Sequence, residues 1–209
     1  MRVIAGSARA RPLRAPKSAS VRPTADRVKE ALFSTIEALL LFGRPEAEIG
    51  SEELWDGLRV LDLYAGSGAL GVEALSRGAA HATFVERDAT AVATIRANLA
   101  ATGLADRATV RAGDATRLVH GALPEADLVL MDPPYADPRA WDVAVAIAEA
   151  AWLARDSLVV IEHSGRSSTP AKLGTLEQQR ERRYGQTVLT LYARGVYDRA
   201  GAHDVQEGC

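Results

Sequence analysis

Cysteine is nearly missing from this 209-residue sequence, since the only one is Cys209. No disulfide can form within the chain, and a cysteine-based zinc site is excluded. The four histidines, His81, His120, His163 and His203, lack the spacing of metal ligands. A metal enzyme is therefore not expected.

Long apolar runs are also missing. The longest, residues 143–154, contains Glu149 and is shorter than the ~20 residues that cross a bilayer. The first residues lack the apolar core of a secretion signal. The composition, 47% hydrophobic and 25% charged, excludes wholesale disorder. The sequence predicts one soluble, cytoplasmic domain with no membrane partner.

Charge is unevenly distributed, although the net value is only −2. Residues 1–30 contain eight basic and two acidic side chains, whereas the remaining 179 residues contain 17 basic and 25 acidic ones. A basic arm on an acidic body suggests an anionic partner at one end, and a solvated tail would give the same composition. The strand-like residues 3–6 and the helix after the arm favour the partner.

Apolar strands alternate with amphipathic helices from residue 59 onwards. Strands are predicted at 59–64, 82–86, 108–111, 127–131 and 157–162, with helices at about 69–77, 88–101, 115–121 and 139–153. Thr24 is a suitable N-cap for a helix over 25–41, and 177–183 with 186–193 predict an antiparallel hairpin. The expected fold class is α/β, a doubly wound, mostly parallel sheet with a basic N-terminal strand and helix extension.

Four segments are expected along the chain. A basic arm and helix at 1–42 pack on the main domain, 43–57 form an acidic loop, 58–193 form the main domain, and 194–209 form a tail.

A glycine-rich loop follows the first predicted strand. Residues 62–71 read DLYAGSGALG, in which Gly66 and Gly68 allow a sharp turn and a close approach to a ligand. Glu86 ends the second strand, where a carboxylate can accept hydrogen bonds from both hydroxyls of a ribose. Asp114 follows the third strand and can meet an adenine edge. Because ligands of doubly wound sheets bind at the carboxyl ends of the strands, we expect a nucleoside-containing ligand there.

Two cofactors fit this loop. Gly66-x-Gly68-x-x-Gly71, followed by an acid, also matches the dinucleotide fingerprint, so a nicotinamide-dependent oxidoreductase is one alternative. Asp62 favours the other, because a carboxylate at the mouth of the site opposes a pyrophosphate and suits the cationic sulfonium of S-adenosylmethionine. The methyl donor is preferred over NAD.

The tetrapeptide Asp132-Pro133-Pro134-Tyr135 follows the fourth predicted strand. The two prolines could serve only to end the strand and form a rigid loop, as in any protein. This interpretation does not explain the aromatic residue Tyr135 that follows them. An exocyclic amine of a nucleobase is a poor nucleophile, and acceptors from Asp132 and the Pro133 carbonyl would grip its N–H groups. Tyr135 would stack on a base that is unpaired or flipped out. The tetrapeptide therefore predicts amine methylation.

These motifs resemble the bacterial 16S ribosomal RNA (guanine-N2)-methyltransferases of the RsmD type, a class I S-adenosylmethionine-dependent family. The similarity spans roughly residues 1–193, through the blocks at 2–6, 22–33 and 61–78, then Glu86, Asp114 and 132–135. The block Arg22-Pro-Thr-x-Asp-Arg-Val28 is more specific than the methyltransferase motifs, which many enzymes share.

The resemblance implies a role for each matched residue. The catalytic loop would be Asp132, Pro133, Pro134 and Tyr135, and the cofactor contacts would be Asp62, Tyr64, Ala65, Gly66, Gly68, Glu86, Arg87, Asp114, Ala115, Thr24 and Arg27. Arg9, Arg11, Arg14 and Arg22 would contact RNA phosphates. Whether Arg22 and Arg27 serve RNA or cofactor stays open.

The expected activity is methyl transfer from S-adenosylmethionine to N2 of one guanine in 16S ribosomal RNA. The expected partner is the 30S subunit or its assembly intermediates, and the enzyme is expected to be a monomer without metal. Rival interpretations are the same chemistry on adenine in DNA or on a protein glutamine, and a non-catalytic RNA-binding assembly factor.

Overall fold

The computed structural model describes residues 1–16, 26–41, 51–135, 137–166 and 168–194. The helices are α1 Asp26–Leu41, α2 Ser51–Trp55, α3 Ala69–Arg77, α4 Ala89–Thr102, α5 Ala115–Leu118 and α6 Ala140–Ala148, with a 3-10 turn at Ala105–Arg107. The strands are β1 Arg59–Leu63, β2 His81–Glu86, β3 Ala108–Ala112, β4 Ala126–Met131, β5 Leu153–Ser164, β6 Lys172–Leu173, β7 Leu176–Tyr184 and β8 Thr187–Ala193.

The strands form one sheet in the order β3-β2-β1-β4-β5-β8-β7-β6. The first five run parallel, whereas β8 pairs antiparallel with both β5 and β7. The chain builds outward from β1 through β2 and β3, and then returns to add β4 on the other side of β1. The loops that follow β1 and β4 therefore diverge and leave a crevice at their carboxyl ends. The predicted α/β fold with a C-terminal antiparallel hairpin is confirmed.

The central strands β1 and β4 are buried on both faces of the sheet, which explains their nearly continuous apolar runs. Because successive side chains point to opposite faces, neighbouring residues belong to different clusters. One cluster joins Val60, Leu128 and Val160 to helices α1 to α4. The other joins Leu61 and Val129 to helices α5 and α6.

Some predicted elements have different bounds in the structure. The helix predicted at 139–153 ends at Ala148, because Leu153 already pairs with Ala126 as the first residue of β5. The helix predicted at 115–121 ends at Leu118. The loop predicted at 43–57 is wrong for its last part, since α2 forms there and the Trp55 ring packs 5.5 Å from that of Phe33. Residues 17–25, which include Thr24, and residues 42–50 and 195–209 lie outside the described residues.

Residues 1–16 pack along α3. The strand predicted within them is not part of the sheet, because their pairing is an isolated bridge between Arg2 and Pro12. The Ser7 amide donates to the Ser76 carbonyl over 2.7 Å. Gly6 has a φ of 79° and lies so close that a Cβ atom would sit 1.8 Å from the same carbonyl oxygen. The described part of the arm is therefore built to fit the helix.

A buried carboxylate holds this segment in place. Glu73 on α3 is fully buried and accepts hydrogen bonds from the amides of Ile4 and Ala5, at 2.8 and 3.0 Å. It also pairs with Lys29 of α1 at 3.0 Å, and the Lys29 ammonium donates to the Arg2 carbonyl. One acidic side chain thus connects α1, α3 and the amino-terminal segment.

A buried amide connects the same segment to the glycine loop. Asn98 on α4 accepts from the Arg14 amide at 2.9 Å and donates to the Arg14 carbonyl at 3.0 Å. Its amide nitrogen also donates to the Ser67 carbonyl at 2.8 Å. The end of the segment is therefore fixed beside the loop that follows β1.

Candidate active site

The main cavity opens at the carboxyl ends of the parallel strands, where the chain diverges after β1 and β4. Its volume is about 510 Å³, within the range of sites for cofactor-sized ligands. Its lining comes from the loops after β1 to β4 and from the end of β5, and consists of Asp62, Tyr64, Ala65, Gly66, Ser67, Ala69, Leu70, Val85, Glu86, Arg87, Asp88, Gly113, Asp114, Ala115, Asp132, Pro133, Pro134, Tyr135 and Glu162.

The glycine loop runs from Tyr64 to the start of α3. Its sharp course needs positive φ angles, 55° at Gly66 and 77° at Gly68. Tyr64 also has a positive φ of 58°, an uncommon conformation for a bulky side chain. Such strain concentrates at functional sites, because it persists only where the surrounding structure fixes it.

The Tyr64 hydroxyl is buried beside the cavity. It has no hydrogen-bond partner among the described residues. Burial, together with the charges of Asp137 and Asp114, raises the pKa of Tyr64 to about 12, so the hydroxyl keeps its proton. A buried donor of this kind is costly unless it finds an acceptor, and a ligand in the cavity can supply one.

Asp62 lies deeper than expected. It was predicted at the mouth of the site, but it sits on β1 beneath α3 and is only 1% exposed. It still lines the cavity, and its Oδ2 accepts a hydrogen bond from the Gly71 amide at 2.9 Å. Burial raises the pKa of Asp62 to about 8; the Gly71 hydrogen bond opposes this shift and the Glu86 charge adds to it.

This burial predicts a pH-dependent stability. The folded protein holds the Asp62 proton up to about pH 8, whereas the unfolded chain releases it near 3.8, so stability falls as the pH rises between these values. Asp62→Asn keeps an oxygen for the Gly71 amide and does not titrate. Relative to this variant, the wild type should lose about 1 kcal/mol of unfolding free energy per pH unit between about pH 5 and 7, measured by urea denaturation. Parallel pH profiles for the two proteins would contradict the assignment.

Glu86 at the end of β2 is held by two backbone amides. Its Oε2 accepts from Gly66 and its Oε1 from Asp88, each at 2.8 Å. Each carboxylate oxygen can accept a further hydrogen bond, so both can also face donors in the cavity. The carboxylate therefore couples the glycine loop to the start of α4 and stays available to a ligand.

Asp114 follows β3 and caps the short helix α5. Its Oδ1 accepts from the Thr116 amide at 3.0 Å and from the Thr116 hydroxyl at 2.8 Å. These bonds, with the charges of Arg139 and Arg87, lower the pKa of Asp114. A fixed, ionised acceptor thus lies at the β3 side of the cavity.

The tetrapeptide lies on the opposite side of the cavity, directly after β4. Asp132 is partly buried and Pro133 is buried, whereas Tyr135 is 40% exposed. The Tyr135 hydroxyl lies 2.8 Å from the Thr187 hydroxyl at the start of β8 and donates to Glu162 at 3.3 Å. The ring is therefore anchored at its hydroxyl end while much of its surface meets solvent.

The structure brings most of the predicted site residues together, with exceptions. Gly68 and Arg27 are not part of the cavity lining, and Arg27 is exposed on the first turn of α1. Arg9, Arg11 and Arg14 are exposed on the amino-terminal segment. Arg22 and Thr24 lie outside the described residues.

Sequence reasoning missed three polar residues of the lining, Ser67, Asp88 and Glu162. Glu162 had a recognisable signal, because it ends the predicted fifth strand as Glu86 ends the second. Among the described residues, no group of three or more acidic, histidine or cysteine side chains is arranged to hold a metal ion. In the same ranges, no helix is both long and apolar enough to cross a membrane.

The fold is that of a methyltransferase. The solved structure titled "Putative methyltransferase yhhF from Escherichia coli" is similar with a TM-score of 0.75 and 32% identity, over 94% of this chain and 98% of that one. A similar curated protein is the "Putative rRNA methyltransferase YlbH" of Bacillus subtilis, 37% identical over 92% of this chain and 98% of its own length.

A family assignment follows from two further comparisons. The sequence model of the family described as "Conserved hypothetical protein 95" matches residues 1–193. The "Ribosomal RNA small subunit methyltransferase D" of Escherichia coli strain K12 is 31% identical over 93% of this chain and 90% of its own length. The chain belongs to this family, that of ribosomal RNA small subunit methyltransferase D.

Proposed function

We propose that the protein transfers a methyl group from S-adenosylmethionine to the exocyclic N2 amine of a guanine in 16S ribosomal RNA. The observation that carries this proposal is the cavity itself, in which Asp132 and Tyr135 face the same space as Asp62 and Glu86. One site would therefore hold the cofactor on the side of Asp62 and Glu86 and the amine on the side of Asp132 and Tyr135. The names of the similar proteins support ribosomal RNA as the substrate.

The residues of the cavity fit S-adenosylmethionine, which when bound supplies an activated methyl group. Glu86 would accept hydrogen bonds from the ribose hydroxyls, because its two oxygens keep lone pairs beyond the Gly66 and Asp88 amides. Asp62 lines the same cavity, but it keeps its proton up to about pH 8, so near neutral pH it would offer the ligand a polar carboxyl group rather than a negative charge. The buried Tyr64 hydroxyl would find the acceptor that it lacks among the described residues.

The amine would be held by the tetrapeptide. Asp132 and the Pro133 carbonyl would each accept one N–H, which favours a pyramidal nitrogen with its lone pair directed at the methyl group. The rate would come from this alignment, with no strong base needed before transfer. The exposed face of Tyr135 would stack on the base, a contact worth about 1–3 kcal/mol, once the base is unpaired or flipped out.

The substrate would be the 30S subunit or one of its assembly intermediates, because a domain of this size reads few bases directly and depends on RNA shape. We further propose that the protein acts as a cytoplasmic monomer without a metal ion. We also propose that the chain is divided into the segments 1–42, 43–57, 58–193 and 194–209, with α2 at the end of the second segment.

The direct test uses tritium-labelled S-adenosylmethionine and 30S subunits from cells that lack this protein. Label should enter 16S RNA, and nucleoside digestion should release it as N2-methylguanosine. Parallel reactions should contain naked RNA, DNA and ribosomal proteins. Label confined to DNA or protein, or recovered as another nucleoside, would reject the assignment.

The exposed arginines of residues 1–16 should contribute to RNA binding to different degrees. Arg14 is held by Asn98 next to Ser67 of the glycine loop, whereas Arg9 lies in the turn beside the carboxyl end of α3. Arg14→Glu should therefore weaken RNA binding. The plot of the logarithm of the binding constant against the logarithm of the salt concentration should become less steep by about 1. Arg9→Glu is the matched control and should have a smaller effect. Unchanged slopes in both variants, and in Arg11→Glu, would show that RNA binds elsewhere.

A further inference from the structure

Glu162 is a buried carboxylate in the active-site cavity that the proposed chemistry does not use. It lies near the carboxyl end of β5, is 7% exposed and lines the cavity together with the tetrapeptide. We propose that Glu162 selects guanine by accepting a hydrogen bond from N1–H of the target base. This inference rests on the proposed function and names the group that reads the base.

The register of the sheet places Glu162 beside Asp132. Met131 of β4 pairs with Ile161 of β5, so Asp132 and Glu162 are the next residues on adjacent parallel strands. Leu130 and Val160 point to the same face of the sheet, and side chains alternate along a strand. Asp132 and Glu162 therefore lie on the same face of the sheet. They place two hydrogen-bond acceptors side by side at the edge formed by the carboxyl ends of the strands.

Glu162 also lies next to the proposed stacking surface. Its Oε1 accepts from the Tyr135 hydroxyl at 3.3 Å, and its Oε2 is shielded from solvent. A base that stacks on Tyr135 would bring its edge toward this carboxylate. A base that lacks N1–H would leave the buried Glu162 oxygen without a hydrogen bond, and water could not easily enter to supply one. Burial therefore increases the discrimination between bases.

The two acceptors match the Watson–Crick edge of guanine. Guanine presents N1–H and the N2 amine as neighbouring donors, so Asp132 would take the amine and Glu162 would take N1–H. Adenine presents a lone pair at N1, which would face a lone pair of the Glu162 oxygen that accepts N1–H from guanine. Sites built to hydrogen-bond one group reject analogues that lack it by large factors. Glu162 would thus exclude adenine although adenine also carries an exocyclic amine.

The test compares guanine with 2-aminopurine at the methylated position of the substrate RNA, once that position has been located. 2-Aminopurine keeps the amine at C2 but has an acceptor at N1. The wild type should prefer guanine by about 100-fold or more in kcat/KM. Glu162→Gln can rotate its amide to donate to N1, and should narrow this preference at least tenfold.

Tyr135→Phe is the matched control, because it removes the hydroxyl that bonds Glu162 and keeps the ring. The ratio of its kcat/KM values for guanine and 2-aminopurine should stay close to that of the wild type, even if its rate is lower. Equal narrowing in Tyr135→Phe and Glu162→Gln would overturn the inference, since Glu162 would then act only by holding the ring.

Wild-type enzyme alone can also refute the inference. If it methylates guanine and 2-aminopurine equally well, N1–H is not read, even where Glu162→Gln fails to fold. If it methylates no guanine in RNA, the proposed function itself fails, and this inference with it. The two failures are therefore distinguishable.

Discussion

Replacing Asp132 by alanine is expected to lower the rate of methyl transfer about 100- to 1,000-fold, the usual cost of removing one positioned polar group from an active site. Without this acceptor, one N–H of the amine is unbound and the nitrogen lone pair is no longer directed at the methyl group. Cofactor affinity should change by less than about twofold, because the proposed cofactor contacts lie on the β1 to β3 side of the cavity. Single-turnover kinetics and calorimetric titration with S-adenosylmethionine measure the two quantities separately.

Asp137→Ala is the matched control for this experiment. Asp137 lies five residues after Asp132, pairs with Arg139 at 3.1 Å and is not part of the main cavity lining. Its loss should change the rate by less than about threefold, because the Asp137 carboxylate bonds Arg139 and does not line the main cavity. Full activity in Asp132→Ala, or equal losses in both variants, would remove Asp132 from the catalytic role.

Glu73→Ala is expected to reduce the free energy of unfolding by about 3–5 kcal/mol. The substitution leaves the Lys29 ammonium buried without its carboxylate, and it removes the acceptor of the Ile4 and Ala5 amides. Arg77, which donates to the same carboxylate at 3.0 Å, loses a partner as well. Urea denaturation followed by circular dichroism measures the change.

The exposed pair of Lys172 and Glu177 gives the comparison. Glu177→Ala removes a carboxylate of the same type at a shorter distance of 2.7 Å, yet it should cost less than about 1 kcal/mol because both partners are solvated. A similar small loss in Glu73→Ala would mean that residues 1–16 are held by their apolar contacts rather than by Glu73.

The sheet could be predicted from sequence because its signal is local. β1, β2 and β4 are short apolar runs bounded by polar or small residues, and the alternation with helices indicates parallel order. The region after α6 lacked such a signal. Residues 143–154 are almost uniformly apolar, so composition could not show where the helix ends and the β5 pairing of Leu153 begins.

The candidate site was predictable to the extent that strand ends define it. Glu86 ends a strand, Asp114 and Asp132 follow strands, and the carboxyl ends of these strands share one edge; the structure places all three residues around one cavity. The depth of Asp62 was not predictable, because it depends on α3 folding over β1 and on the amide of Gly71. Glu162 could have been predicted from its place at the end of the fifth strand, but its contact with Tyr135 could not, because Tyr135 follows a different strand.

How residues 1–16 contact the rest of the protein could not be predicted from their own sequence. Their charge suggested an arm for an anionic partner, yet Val3, Ala8 and Leu13 are buried against the body of the protein. The contacts that decide this, Glu73 and Ser76, lie about 70 residues away in the sequence. The arginines of the segment are visible in its composition, whereas the groups that bind the backbone between them lie on α3, far along the sequence.

The course of the first residues has a practical consequence for purification. Met1 lies with its Sδ 3.9 Å from the Oγ of Ser67, one of the residues that line the cavity. An affinity tag or fluorescent protein fused ahead of Met1 would emerge beside the glycine loop and compete for space with whatever docks there. Titrations should therefore use protein whose tag has been cleaved away or attached after residue 209.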